Sequence, residues 1–334
     1  MTNFIATEVT SRSTLPETSN VVEVRELTKE FGDEVAVDQI SFTVPMGSIF
    51  GFIGPSGCGK TTTVRLLTGI YKPTRGEALV LDNTPDKFTQ AERERIGYMP
   101  QNFVLYPDLT VWENLNFAAS IYGLGWNRKK RMNNLLDFVE LQEHKRKLVR
   151  DISGGMMRRL NLAATLVHDP ELLFLDEPTA GIDPVLRRKF WDYFETLREA
   201  GSTCFITTQY VSEASYCDLV GVMNMGRLLM VDTPEGLMRR ALGGEVIDLR
   251  TDSRLDYVIL KEMELLPFVL HPVERVEPNE IHILVDAAET ALPALVEWCR
   301  TKNITIESVQ AYLPPFDDVF VTLIEKANHH ESDL

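Results

Sequence analysis

The stretch GPSGCGKT, residues 54–61, decides the fold of this chain. It matches the pattern G-x-x-x-x-G-K-[ST] and lies between a predicted strand, SIFGFI, and a predicted helix, TTTVRLL. In that context the glycines let backbone N–H groups turn towards phosphate oxygens, and the helix N-terminus adds a positive dipole. Lys60 is expected to reach the β- and γ-phosphates, and the Thr61 hydroxyl is expected to bind Mg²⁺. The predicted triphosphate contacts are Gly54, Pro55, Ser56, Gly57, Cys58, Gly59, Lys60, Thr61 and Thr62.

A second motif, ELLFLDEP at residues 171–178, ends a nearly continuous apolar run with two acidic residues. Such a run is typical of a strand that is buried on both faces of a parallel sheet. Asp176 is expected to hold Mg²⁺ through water, and Glu177 is expected to orient or deprotonate an attacking water. Two acidic residues alone would indicate only a solvated turn. Because they follow an apolar strand and a phosphate-binding loop, they predict a catalytic site.

The chain has 334 residues, enough for two domains or for one large domain with an appendage. Its composition, 44% hydrophobic and 25% charged, is typical of a globular protein with a substantial core. It contains no run of 18 apolar residues, so no segment is predicted to cross a bilayer. The four cysteines form no CxxC pair, which argues against zinc and disulfides and favours a reducing compartment. Cys58 is interpreted as a small residue that the loop tolerates.

Residues 1–20 lack a basic start and an apolar stretch, so they are predicted to form a flexible polar tail rather than a secretory signal. Over residues 21–242, strands and helices alternate, which indicates an α/β domain with a parallel sheet. Residues 103–168 are predicted to be mainly helical, in the segments WENLNFAASIYGL, RKKRMNNLLDFVELQEHKRK and MMRRLNLAATLVH. CFITT, ending just before Gln209, is predicted to be a further central strand with a helix soon after it.

The character of the chain changes near Gly243–Gly244. Residues 245–325 are predicted to form an accessory domain in the order βαββαβ, which is the ferredoxin-like pattern. A last helix, DDVFVTLIEK, is expected before a polar tail at residues 326–334. Residues 245–334 hold 18 Asp and Glu against 7 Lys and Arg, within a net charge of −15 for the whole chain. This acidic excess argues against a nucleic-acid-binding tail and indicates a solvated acidic surface.

Between the two motifs, ISGGMMRRLNLA at residues 152–163 has the pattern of a second helix N-terminus that faces phosphate. The SGG segment, followed by an apolar run and DEPTAGID, resembles the ATP-binding cassette (ABC) ATPases, and the resemblance covers residues 21 to about 240. It implies an α/β fold: a P-loop (RecA-like) ABC ATPase core with an antiparallel β subdomain and an α-helical subdomain. The small α+β (ferredoxin-like) C-terminal domain is added to that core. ATP and Mg²⁺ are the implied ligands.

The resemblance also implies roles for single residues. Two cassettes face head to tail, and Phe31 in KEFG stacks on adenine. Gln101 in YMPQ touches Mg²⁺ and couples to a membrane subunit, while Asp183 in AGID belongs to a loop that crosses the dimer interface. Gln209 occupies the switch position, which faces the γ-phosphate, and acts with Glu177 in catalysis. The signature motif, which contacts the partner's ATP, comprises Ser153, Gly154, Gly155 and Met156.

Two residues depart from the family pattern. The signature usually ends in glutamine, but Met156 cannot donate a hydrogen bond to nucleotide. The switch residue is usually histidine, and Gln209 can donate a hydrogen bond but can never carry charge. In one interpretation Gln209 keeps the hydrogen bond and the site still turns over, at a normal or a reduced rate. In the other, the site is weakened and the chain pairs with a different cassette that completes catalysis.

Two further stretches have competing interpretations. The basic run RKKR at residues 128–131 is interpreted as a solvated helix face rather than as a site for nucleic acid or lipid. The aromatic stretch VLYPDLTVWENLNF, residues 104–117, follows Gln101. Aromatic residues are usually core, but in this family the region lines the groove that receives a coupling helix of the membrane subunit. Both interpretations stay open for Phe103, Tyr106 and Trp112.

The expected function is an ATP-binding and ATP-hydrolysing subunit that powers a separate membrane permease from the cytoplasmic face of the cell membrane. EFGDEVAVDQISFTVPMG, LYPDLTVWENL and PPFDDVFVTLIEK resemble multidrug-type exporters more than importers. The expected partners are a second ABC cassette and a transmembrane permease, with no nucleic acid. One alternative is a regulatory cassette with a weakened site. A less favoured one is a soluble ABC ATPase that acts on ribosomes or DNA, since only one cassette and no zinc module or coiled-coil insertion is visible.

Overall fold

The computed structural model describes residues 19–125, 128–270 and 272–332, with side chains as far as Glu325. By packing, the chain divides between Val231 and Asp232 into two units, each of which is described by itself. The tail expected at residues 1–20 lies outside the described residues except at its end, where Asn20 begins the first strand. The domain limits inferred from the sequence stay predictions.

The N-terminal unit alternates strands and helices. Its strands are β1 (Asn20–Phe31), β2 (Glu34–Pro45), β3 (Ile49–Ile53), β4 (Arg75–Val80), β5 (Ile96–Met99), β6 (Leu172–Asp176), β7 (Thr203–Thr208), β8 (Leu219–Asn224) and β9 (Arg227–Asp232). Its helices are α1 (Lys60–Leu67), α2 (Gln90–Glu94), α3 (Val111–Ile121), α4 (Arg128–Phe138), α5 (Gly154–Leu166) and α6 (Pro184–Glu199).

The central sheet has six strands in the order β5–β6–β7–β3–β8–β9. β7 and β8 pair in parallel with β3, and β5 and β7 pair in parallel with β6. β3, β6 and β7 are buried along their whole length, as expected for strands that are covered on both faces. Because the strands run in one direction, Gly54, Glu177 and Gln209, which follow β3, β6 and β7, emerge at the same edge. That edge is where the site forms.

A three-stranded antiparallel sheet in the order β2–β1–β4 adjoins the central sheet, and α3, α4 and α5 pack on one another as a helical region. Both subdomains expected from the resemblance are therefore confirmed. The predicted helix RKKRMNNLLDFVELQEHKRK was too long: α4 ends at Phe138, because Glu140 takes a left-handed backbone conformation with φ of 55°. The helix expected after Gln209 is only a 3₁₀ turn, Val211–Tyr216.

The core of the N-terminal unit is centred on Phe205 in β7. Its ring contacts four other phenylalanine rings at centroid distances of 5.3–6.1 Å, namely those of Phe42, Phe50, Phe52 and Phe174. These rings come from β2, β3, β6 and β7, so the cluster joins the antiparallel sheet to the central sheet.

Replacing Phe205 with alanine is expected to lower the free energy of unfolding by about 3–5 kcal/mol, because the cavity cannot collapse between two sheets. Urea unfolding of the full chain, followed by circular dichroism, measures the change. Phe31, whose side chain is 43% exposed, supplies the matched control, and Phe31→Ala is expected to change stability by less than about 0.5 kcal/mol. Equal effects of the two substitutions would contradict this account of the core.

The C-terminal unit is a four-stranded antiparallel sheet with helices. Its elements are α7 (Pro234–Leu242), β10 (Glu245–Thr251), α8 (Tyr257–Glu264), β11 (Glu274–Glu277), β12 (Glu280–Val285), α9 (Ala288–Thr301), β13 (Ile306–Tyr312) and α10 (Phe316–Ser332). The strand order β11–β12–β10–β13 and the antiparallel pairing confirm the predicted ferredoxin-like pattern. α10 packs against α7 and continues to Ser332, so most of the polar tail expected at residues 326–334 is helical.

Among the described helices, none combines the length and the apolar character that crossing a membrane requires.

Candidate nucleotide-binding and catalytic site

The loop between β3 and α1 has the backbone geometry that its glycines predict. Gly57 and Gly59 have φ of 80° and 106°, a region that side chains with a Cβ avoid. A Cβ on Gly59 would also lie 2.4 Å from the Ala36 carbonyl oxygen, so no other residue fits there. The Gly226 N–H donates to the Cys58 carbonyl at 3.0 Å and fixes the loop from the turn after β8. The tip, at Pro55 to Gly57, is exposed and open to a ligand.

Lys60 at the start of α1 lies inside this loop and is only 4% exposed. Its ammonium donates to the carbonyl oxygens of Gly54, at 2.7 Å, and Pro55, at 2.9 Å. It also lies 3.9 Å from Cys58 Sγ. A buried ammonium whose described partners are two carbonyl oxygens and a thiol is well suited to an anionic ligand. Burial raises the pKa of the neighbouring Cys58 thiol, although the charge of Lys60 acts in the opposite direction. Cys58 therefore stays a protonated thiol, in keeping with its interpretation as a small loop residue.

Asp176 ends β6 and is fully buried beside α1. One carboxylate oxygen, Oδ1, accepts hydrogen bonds from Thr61 Oγ1 at 3.2 Å and from Thr207 Oγ1 at 2.5 Å. The other, Oδ2, is buried and has no hydrogen-bond partner within the described part of the chain. A buried carboxylate oxygen without a partner is costly unless a cation or water satisfies it. With the hydroxyl of Thr61 nearby, the oxygen donors present fit Mg²⁺.

Glu177 follows Asp176 in a left-handed conformation with φ of 52°. Its N–H donates to the carbonyl oxygen of Thr207 at 3.0 Å and lies 3.1 Å from Thr207 Oγ1, which holds this strained backbone in place. Its carboxylate is nearly buried and accepts a hydrogen bond from Gln101 Nε2 at 3.1 Å. The structure therefore brings together Gln101 and Glu177 in one contact, and Thr61 and Asp176 in another.

Three predicted site residues, Phe31, Asp183 and Gln209, lie outside these contacts. Phe31 is exposed at the β1–β2 turn, where its ring meets Tyr71 edge-on at 5.3 Å. Asp183 caps the N-terminus of α6 by accepting from Leu186 N at 3.0 Å. Gln209 is exposed directly after β7.

The signature residues lie at the N-terminus of α5. Ser153 is exposed and caps the helix by accepting from Met156 N at 3.3 Å. A Cβ on Gly155 would lie 3.5 Å from the Gly181 carbonyl oxygen, so the signature adjoins the loop before Asp183 within one chain.

Arg158 in α5 was not identified as a site residue from the sequence. Its Nη1 donates to the carbonyl oxygen of Gln101 at 3.0 Å, and its guanidinium lies 5.1 Å from the centre of the Phe103 ring. Burial lowers the pKa of Arg158, while the nearby charges of Glu177 and Asp176 act in the opposite direction. The side chain therefore fixes the segment around Gln101 to the helix that carries the signature.

Glu213 was also missed. It is only 2% exposed and accepts from Thr179 Oγ1 at 2.7 Å, with Arg187 Nε 3.7 Å from the same oxygen. Arg187 in turn lies 4.4 Å from the centre of the Tyr210 ring. These contacts tie the segment after Glu177 to the segment after Gln209. The SEA sequence around Glu213 gives no local signal of this role, because its partners are distant in sequence.

The chain is similar to known proteins over the part that contains the phosphate-binding loop, the signature and Asp176. Residues 37–180 match the family model described as ABC transporter. The probable multidrug ABC transporter ATP-binding protein YbhF of Escherichia coli (strain K12) is 40% identical over 68% of this chain, although the match spans only 40% of YbhF. The linearmycin resistance ATP-binding protein LnrL of Bacillus subtilis (strain 168) is 33% identical over 91% of this chain and 98% of its own length.

Among solved structures, an ATP-binding subunit of an ABC transporter superposes with a TM-score of 0.62 at 26% identity, over 67% of this chain and 93% of that one. Because the match to LnrL covers 91% of this chain, it extends into the C-terminal unit. The superposed structure confirms the cassette fold. The chain belongs to the ABC transporter family, as an ATP-binding cassette ATPase related to multidrug and antibiotic-resistance proteins.

Proposed function

We propose that this chain hydrolyses ATP and so powers a separate membrane permease, in the direction of export. The observation that carries the proposal is the cluster at the carboxyl edge of the parallel sheet. Three groups lie there: the buried ammonium of Lys60 at the start of α1, the carboxylate of Asp176 at the end of β6, and the carboxylate of Glu177 directly after it. One buried oxygen of Asp176 has no described hydrogen-bond partner, and the backbone of Glu177 is strained. An anion site, a cation site and a base at one edge are the parts that phosphoryl transfer to water requires.

In this proposal the loop from Gly54 to Thr62 holds the phosphates. Its backbone N–H groups and the N-terminus of α1 face the anion, and Lys60 exchanges its two carbonyl partners for phosphate oxygens. Thr61 and Asp176 hold Mg²⁺, with Gln101 close by through its bond to Glu177. When bound, Mg²⁺ neutralises phosphate charge and orients the terminal phosphate.

Glu177 is the proposed general base. The left-handed backbone of Glu177 and the hydrogen bond from the Gln101 amide fix the position of its carboxylate. The side chain therefore needs to move little to accept a proton from the attacking water. Gln101 is the positioning residue. Phe31, exposed at the edge of β1, is proposed to stack on adenine.

A second cassette completes the proposed site. Ser153 and Gly154 are exposed at the N-terminus of α5, and Gly155 and Met156 are partly exposed. No phosphate-binding residue of the same chain contacts them in the described structure. We assign this surface, with Asp183, to the ATP held by a partner cassette. The accessory C-terminal unit is proposed to regulate or assist that dimerisation.

Gln209 is proposed to donate a hydrogen bond to the γ-phosphate from the end of β7. We expect Gln209→His to leave the steady-state ATPase rate within about threefold of wild type, and Gln209→Ala to lower it about tenfold or more, as the loss of a hydrogen bond to a charged group implies. The rate of purified protein at saturating MgATP checks both. A large gain in rate for Gln209→His would instead favour the alternative, in which the site is weakened and a different cassette completes catalysis.

The permease is proposed to dock on an exposed aromatic surface just beyond Gln101, here called the coupling surface and comprising Phe103, Tyr106 and Phe117. Tyr106 and Phe117 are 50% and 41% exposed, and their rings meet edge-on at 4.9 Å. Trp112, which the sequence grouped with them, is half-buried. Exposed aromatic residues in contact with one another are typical of protein–protein interfaces.

The double substitution Tyr106→Ser and Phe117→Ser is expected to reduce co-purification with the proposed permease, produced together with this chain, by about tenfold or more, since large aromatic anchors dominate interfaces. The ATPase rate of the isolated chain is expected to be unchanged. Leu265→Ser alters a leucine that is 83% exposed in the C-terminal unit and serves as the matched control. If the double variant co-purified with the permease as well as wild type does, the coupling surface would not be the docking site. Transport by inside-out vesicles containing both proteins then tests the direction of export.

A further inference from the structure

The C-terminal sheet has a polar face that the proposed ATPase function does not use. On β10 and β12, the side chains of one face are buried and apolar, as in Ile247, Leu249 and Ile283. The opposite face carries Asp248 and His282, which are direct partners in the strand register. Two residues further along each strand, Arg250 pairs with Glu280 on the same face.

Three side chains on this face converge. One ligand atom from each of Asp248, Glu280 and His282 lies within 4.8 Å of the other two. The His282 ring stacks on Tyr312 of β13, with centroids 4.2 Å apart, which fixes its plane. Two carboxylates and one imidazole on adjacent antiparallel strands form a compact set of oxygen and nitrogen donors.

Asp248 supplies a second and independent observation. The residue is only 6% exposed, and its Oδ1 has no hydrogen-bond partner within the described structure. The buried Nε2 of His282 is likewise without a partner there. A buried carboxylate oxygen and a buried ring nitrogen that lack hydrogen-bond partners are each costly unless a cation or water satisfies them.

Arg250 neutralises only part of the negative charge of Asp248 and Glu280. Its Nη2 lies 2.5 Å from Glu280 Oε2, so one carboxylate is paired. Glu280 retains a second oxygen, and Asp248 has no ion-pair partner among the described residues. The guanidinium therefore reduces the negative charge of the cluster but leaves carboxylate oxygens available to a cation.

We propose that Asp248, Glu280 and His282 bind a divalent first-row transition cation, for which Zn²⁺ is the probe. An imidazole nitrogen with two carboxylate oxygens suits Zn²⁺ and its neighbours, whereas Mg²⁺ prefers oxygen donors alone. Three protein ligands leave a fourth position open for water. The cation would cross-link β10 to β12, and this site is separate from the Mg²⁺ held at Asp176.

The experiment is calorimetric titration of the full, tag-free chain with ZnCl₂ in the presence of excess MgCl₂. One Zn²⁺ per chain is expected. Asp248→Asn and His282→Gln are each expected to weaken binding about tenfold or more, because each removes one ligand. Arg250→Gln is expected to tighten binding, because it removes a competing positive charge from Glu280. Zn²⁺ should also raise the thermal unfolding temperature of wild type but not of His282→Gln.

Two control variants separate this site from other donors. His329→Gln with His330→Gln removes the adjacent histidines near the C-terminus, and Asp176→Asn removes the proposed Mg²⁺ ligand; both are expected to keep wild-type Zn²⁺ affinity. Asp248→Asn removes no side-chain hydrogen bond seen among the described residues, so circular dichroism should show it folded without metal. Equal Zn²⁺ affinity in wild type, Asp248→Asn and His282→Gln would overturn the proposal, as would loss of binding in the His329/His330 variant.

Discussion

Glu177→Gln is expected to lower kcat for ATP hydrolysis by about 10²–10⁴-fold, the range that a positioned general base contributes. The substitution removes the proton acceptor and preserves the size of the side chain. It also keeps the backbone of residue 177, which the Thr207 carbonyl and hydroxyl hold at φ of 52°. Affinity for MgATP should change little, because the loop around Lys60 is untouched. Steady-state ATPase assays and nucleotide titrations measure the two quantities separately.

Glu171 gives this experiment a matched control. It immediately precedes β6, at the opposite end of the strand from Glu177, and pairs with Arg95 at 2.9 Å in an ion pair that is 42% exposed on each side. Surface pairs of this kind contribute about 0–1 kcal/mol to stability. Glu171→Gln should therefore keep the wild-type rate and nearly the wild-type stability. A wild-type rate in Glu177→Gln would show that another group accepts the proton.

Lys60→Ala is expected to weaken MgATP binding by about 10²–10⁴-fold. We expect two charge-assisted hydrogen bonds from the ammonium to phosphate oxygens, each contributing about 1.5–3 kcal/mol. Without nucleotide the same ammonium bonds to Gly54 and Pro55, so the empty loop should also become less ordered. Equilibrium dialysis with labelled ATP gives the affinity, and thermal unfolding of the free protein gives the structural effect.

Lys60→Arg separates charge from shape. The guanidinium keeps the positive charge, but it is planar and larger than an ammonium. Because Lys60 is only 4% exposed, the larger group should not fit in the same place, so MgATP binding should still be impaired. Lys72→Ala is the control, since Lys72 is 78% exposed and pairs only with Asp86 among the partners described. Wild-type affinity in Lys60→Ala would place the phosphates elsewhere.

Local signals were sufficient for much of the fold. The glycines of residues 54–59 and the helix formers after them located β3, the loop and α1, because turn chemistry and periodicity act over a few residues. The apolar run before Asp176 located β6 for the same reason. The ferredoxin-like order of the C-terminal unit followed from alternating strand and helix patterns. Element order is thus visible wherever a segment carries its own periodic signal.

The parts of the site that the sequence could not reveal depend on distant partners. Thr207 acts on both Asp176 and Glu177 only because β6 and β7 are neighbours in the sheet. Arg158 reads as an ordinary basic residue in a helix, and its contact with Gln101 spans 57 residues. The early end of α4 was missed because Glu140 adopts a conformation that no residue type enforces. The roles assigned to Phe31, Asp183 and Gln209 stay predictions.

The Arg158 contact has a mechanical consequence. One side chain joins the helix that begins with the signature to the main chain of Gln101, and its flat face covers Phe103. If nucleotide on an opposing cassette displaces the first turn of α5, as proposed above, the Arg158 contact should carry that displacement to Gln101 and Phe103, at the proposed coupling surface. In the proposed dimer, each cassette would thus signal to the proposed permease whether its neighbour's ATP site is occupied, as well as its own.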